Sequence, residues 1–102
     1  MLGKSIGIVR NVDQLGRITI PKEITKTLNW SGKLFRFKTD KNLIIVSPTA
    51  ENEDGRKIDS LNRLVVPKSI RNQFAITEGT PLEMMFFENR VTLKVYLGGE
   101  TK

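Results

Sequence analysis

A chain of 102 residues with net charge +6, 38% hydrophobic and 27% charged residues, and neither cysteine nor histidine, reads as one small globular unit rich in cations. Without thiols or imidazoles it has no disulfide framework, no thiolate or imidazole metal site and none of the usual nucleophile–base pairs, so no enzyme activity, metal or other cofactor is expected. No apolar run approaches the roughly 20 residues of a membrane span, and the opening "MLGKSIGIVR" lacks a signal peptide's apolar core, which points to the cytoplasm and away from membranes.

In chain order, "GIVRNV" is rich in strand formers, "DQLG" is a turn, and "RITI" alternates polar and apolar residues at the strand period. Pro21 suits the first turn of a helix, and Ile24 and Leu28, four apart, give that helix of about eight residues one apolar stripe. After Gly32, "LFRFKT" and "LIIV" read as strands around the turn "DKN". The order then repeats. "IDSLNRLVVP" restates "VDQLGRITIP", Ile70 and Phe74 restate the helical stripe, and after Gly79 "PLEMMFF" and "VTLKVY" flank "ENR". In the last strand Val91, Leu93 and Val95 are expected to be buried, with Thr92, Lys94 and Tyr96 outward.

The two copies align with a shift of 46 from Arg10/Arg56 through Ile24/Ile70, then 47 at Gly32/Gly79, then 48 at Leu43/Val91. The extra residues fall where loops are expected. This gives a mainly β fold of two tandem ββαββ repeats, residues 1–47 and 55–102, joined by a linker at 48–54. Each repeat alone is undersized, so a shared core is expected. Gly16 in one copy is Asn62 in the other, and both residues accept positive φ. Asp13 and Asp59 can bond backbone N–H groups in these turns, and Leu15 and Leu61 are expected to tuck them against the core. The aromatic and methionine residues Phe35, Phe37, Phe74, Phe86, Phe87, Met84 and Met85 read as core; Trp30 suits either a helix cap or an oligomer contact.

The charge is unevenly placed. Residues 1–50 hold nine Lys/Arg against three Asp/Glu, while residues 51–102 hold eight of each. A basic half suits a polyanion, nucleic acid first, and equally suits a solvated surface.

Over residues 5–47 and 55–97, "GIVRNVDQLGRITIPKEI" and "GRKIDSLNRLVVPKSI" resemble the AbrB-like family of swapped-hairpin transcription factors (SpoVT-AbrB and MazE type), the second copy with Asn for Gly. "FAITEGTPLEM" is similar to the family's segment between helix and third strand. The resemblance implies a swapped-hairpin β-barrel in which the two repeats pair as a pseudo-dimer. Exchange between two chains is the alternative, and a homodimer of barrels a further option. The segment from Ser47 to Asp54, roughly eight residues, reaches about 26–29 Å, enough to span such a barrel.

The resemblance also implies double-stranded DNA binding, transcriptional regulation and association with the nucleoid, with Arg10, Arg17, Arg56 and Arg63 at the DNA. For Arg17 and Arg63 there is a plainer reading, in which they pair with Asp13 and Asp59 and only lock the turn. The family's consecutive helix arginines are here Thr25 and Lys26 in one copy and Arg71 and Asn72 in the other, leaving Lys26 and Arg71 to contact phosphate. Lys22 and Lys68 sit near helix N-termini, where a cation opposes the helix dipole and so suggests an anionic partner. Arg17→Ala is expected to weaken binding more than Arg63→Ala, because the first copy carries the excess charge. Two rival readings are an antitoxin that represses its own operon and a protein–protein assembly module. The closing "LGGETK" is too short to wrap a toxin, which counts against the first.

Overall fold

The computed structural model describes residues 8–30, 32–49, 55–87 and 89–96. The first repeat supplies β1 (Ile8–Asn11), β2 (Arg17–Thr19), α1 (Lys22–Thr27), β3 (Leu34–Asp40) and β4 (Leu43–Thr49). The second supplies β5 (Arg56–Lys57), β6 (Arg63–Val65), α2 (Lys68–Gln73), β7 (Pro81–Phe87) and β8 (Arg90–Val95). The fold is mainly β with two short helices, as the alternating patterns predict.

Six strands form an antiparallel sheet in the order β1-β7-β8-β4-β3-β5, curled into a half-barrel. β2 and β6 form a separate two-stranded ladder. The sheet order is a palindrome when the repeats are interchanged. Each repeat's first strand lies beside the third strand of the other: Arg10 is opposite Leu82, and its counterpart Arg56 is opposite Phe35. The second strands pair with each other, Ile18 opposite Leu64, and the fourth strands meet at Ile45 opposite Thr92. A pseudo-two-fold axis therefore passes through both of these pairs. Backbone bonds outside the ladders obey it too: Ile20 N donates to Asn62 O at 2.8 Å, and Val66 N to Gly16 O at 2.9 Å.

One buried cluster draws on both repeats, including Val12, Ile18, Phe35 and Ile44 from the first and Ile58, Leu64, Leu82 and Leu93 from the second. Neither half-chain of about 50 residues could close such a core alone, which is the physical reason for the exchange. Trp30 is buried edge-on against Phe35, with ring centroids 5.1 Å apart, so it packs the end of α1 into the core, while Leu28 is the helix C-cap. Asn29 and Ala75 take positive φ at the helix ends, and Trp30 N and Ile76 N reach back to Thr25 O and Arg71 O at 2.8 Å.

Several expectations need correction. Both hairpins have two-residue turns, since Asp40 pairs with Leu43 and Phe87 with Arg90. The shift therefore stays at 47, and Leu43 corresponds to Arg90, not Val91. Matching apolar residues suggested an insertion that turn geometry does not contain. Thr92, expected to face outward to solvent, is buried where the pseudo-axis crosses the sheet, and its hydroxyl has no partner among the described residues. Met85 and Phe87 lie on the opposite sheet face from Met84 and Phe86 and are half-buried; Arg90 covers the Phe87 ring at 4.6 Å. The helices have six residues, and Pro21 and Pro67 precede them in extended backbone, with ψ of 137° and 143°. β4 runs through Pro48 and Thr49, so the strand extends into the expected linker; 50–54, like the expected repeat ends at 1–7 and 97–102, lie outside the described residues.

Candidate nucleic-acid interface

The two turns that lead into the β2–β6 ladder are built alike. Asp13 Oδ1 accepts from Leu15 N at 2.9 Å and Arg17 N at 2.8 Å, while Oδ2 accepts from Arg17 Nε at 2.7 Å. Asp59 repeats this with Leu61 N, Arg63 N and Arg63 Nε at 2.9, 2.8 and 2.8 Å. Gly16 and Asn62 close the turns at φ of 78° and 63°, the left-handed region their residue types predict. The N–H of Arg17 is the largest influence holding the Asp13 carboxyl below its ordinary range, aided by the guanidinium and the N–H of Leu15. At Asp59 burial pushes the carboxyl up, but the same three donors outweigh it, and it too is lowered.

With the turns fixed, strand alternation directs the side chains. Ile18 and Leu64 point into the core, so Arg17, Thr19, Arg63 and Val65 share the ladder's outward face. Ladder spacing puts the α-carbons of Arg17 and Arg63 about 8 Å apart on the diagonal. Both side chains are partly exposed, at 25% and 28%. Each spends Nε on its aspartate, and the terminal amino groups of each guanidinium remain as donors. The turn-locking role is thus present, and it leaves the outward donors in place.

Arg10 and Arg56 are exposed on the sheet's two outermost strands. Arg56 borders an open cleft that Arg36, Lys38 and Ser69 also line. Sequence reading missed Arg36 and Lys38 because they sit in a strand whose Phe35 and Phe37 drew attention to packing. Lys22, Lys26 and Lys68 are exposed on the helices.

Arg71 differs from the expected exposed phosphate contact. It is half-buried, its Nε donates to Val66 O at 2.9 Å, and its guanidinium lies on the α-carbon of Gly16, where an added Cβ would meet Cζ at 2.7 Å. α2 therefore packs on the first repeat's turn, and α1 on the second's: the Thr25 hydroxyl, buried, lies between Lys22 O at 3.0 Å and Asn62 Oδ1 at 3.2 Å. Each turn therefore packs against the helix of the other repeat, so the surroundings of Arg17 and of Arg63 draw on both halves of the sequence. Leu15 and Leu61 do not tuck inward; they are 58% and 61% exposed at the turn apices, because the Asp–Arg clamp, not apolar contact, holds the turn.

Among the described residues no cluster of three or more His, Cys, Asp or Glu could hold a metal, and no helix is long and apolar enough to cross a membrane. Comparison with protein-family models, curated proteins and solved structures finds no match.

Proposed function

We propose that the chain binds double-stranded DNA as a transcriptional regulator, on an AbrB-like swapped-hairpin barrel in which the two repeats act as a pseudo-dimer. The observation that carries this reading is the pair Arg17 and Arg63, set by rigid turns on one outward face across a pseudo-two-fold axis. Duplex DNA has its own dyads, and paired guanidinium forks suit phosphates or guanine edges on either side of one. Arg10, Arg56, Lys22, Lys26 and Lys68 extend the basic surface, and the net charge of +6 favours a polyanion. Such a protein would work in the cytoplasm at the nucleoid, as one chain or as a homodimer of barrels.

Fluorescence anisotropy with a labelled duplex across a salt series tests this. About four to six phosphate contacts give a log–log slope of about −4 to −5. A slope near zero, or no binding at low salt, sinks it.

The exposed Leu15 and Leu61 apices favour a second reading, a protein–protein assembly module. A large stable oligomer that purifies free of DNA would support that instead. An antitoxin role rests on the family resemblance alone.

A further inference from the structure

In a dimer of identical chains the two turn–helix junctions must be the same, because symmetry copies every residue. Joining both copies in one chain removes that constraint, and here the junctions have diverged as matched pairs. On one side Gly16 of the turn meets Arg71 of α2; on the other Asn62 meets Thr25 of α1. With the shift of 46, Gly16 corresponds to Asn62 and Thr25 to Arg71. A small turn residue thus faces a large helix residue, and a larger turn residue faces a small helix residue.

Crossed combinations disturb the packing. Any Cβ at position 16 meets Cζ, Nε and Nη1 of Arg71 at 2.7–2.8 Å, so the flexible end of that side chain has to shift, and the added side chain takes a φ of 78° that favours glycine. An arginine at position 25 would enter a site that is 3% exposed and already filled by Asn62. The junctions are two separate solutions to one packing problem.

They also present different chemistry beside Arg17 and Arg63. One holds the half-buried guanidinium of Arg71, which only donates; the other holds the half-buried amide of Asn62, which donates and accepts, with the Thr25 hydroxyl buried beneath solvent reach. The helix cations are offset as well: Lys26 of α1 corresponds to Asn72 of α2, so each helix keeps its own basic residue at a different position. The helices also differ in charge: α1 carries Lys22 and Lys26 against Glu23, whereas α2 carries Lys68 and the half-buried Arg71 with Ser69 in the place of Glu23, so the two sides are not equivalent surfaces.

We infer that the protein binds duplex DNA in one orientation, on a site whose two halves differ in sequence, with Arg71–Gly16 and Thr25–Asn62 as the residues that make the halves unequal. This rests on the DNA-binding reading and specifies the form of its site.

Enrichment from a random duplex pool, with the natural chain and two symmetrised variants, tests it. Gly16→Asn with Arg71→Thr makes both junctions Asn–Thr; Thr25→Arg with Asn62→Gly makes both Gly–Arg. The natural chain is expected to select a non-palindromic consensus. Each symmetrised variant is expected to change the preference in one half only, towards that of the other half. A palindromic consensus for the natural chain overturns the inference, as does a consensus unchanged by symmetrising, or binding with no preference. No retention of any duplex at low salt removes the DNA-binding reading itself.

Thermal melting gives a readout independent of DNA. Each double variant should melt within about 5 °C of the natural chain, and Thr25→Arg alone roughly 10 °C below it. Double variants that melt no higher than Thr25→Arg alone would refute the matched packing. If one double variant fails to fold, the other still decides the selection result.

Discussion

The two turn–helix junctions share a backbone and differ in how they fill it. Both have an aspartate that clamps an arginine, a left-handed residue and a six-residue helix from the other repeat. Yet one is packed by a guanidinium on a glycine and the other by an amide against a threonine hydroxyl. The difference teaches that local geometry is set by the clamp and the φ requirement, while side-chain identity is set by whichever residue lies across the junction.

The comparison can be broken most severely at the axis itself. Ile18 and Leu64 are equivalent, opposite one another and each 1% exposed, so Ile18→Ala and Leu64→Ala should each cost about 2–5 kcal/mol by chemical denaturation. Costs differing severalfold would mean that the two repeats do not share the core equally.

The junctions should differ next. Gly16→Ala forces a Cβ into the left-handed region and onto Arg71, at about 1–3 kcal/mol. In an Arg71→Ala background its cost should fall by about 1 kcal/mol, a coupling that a double-mutant cycle reads. Full additivity would remove the contact from the account.

The clamps, by contrast, should respond alike to acid. Both carboxyls are held below their ordinary value of 3.8, so the folded state gains stability from them above that pH. That contribution is lost as pH falls through the lowered folded value. Asp13→Asn and Asp59→Asn should each reduce the dependence of the melting temperature on pH below about 4 by similar amounts. Smallest of all, Leu15→Ser and Leu61→Ser should change stability by less than about 0.5 kcal/mol, since both apices are in solvent.

The turns and repeats were legible in the sequence because they depend on near neighbours. Asp13 and Gly16 define a turn within five residues, and the same spacing at Asp59 and Asn62 repeats it. Helix placement followed from Pro21 and Pro67, although the proline itself stays outside the helix. The Gly16–Arg71 contact was not legible, since it joins residues far apart that only the strand exchange brings together. Read along the chain, Asn62 looked like another residue tolerant of positive φ; across the junction, it also fills the space that Thr25 leaves. Apolar character alone does not bury Leu15, which stands at a clamped turn apex, and turn length, not hydropathy, aligns Leu43 with Arg90 in place of Val91.

The outward arginines remain the centre of the account, and their salt dependence is the measurement that bears on them most directly. For Arg17→Gln with Arg63→Gln, folded by circular dichroism, the account predicts weaker duplex binding and a log–log salt slope shallower by about 2 than the natural chain's. An unchanged slope and affinity in that folded variant would contradict it.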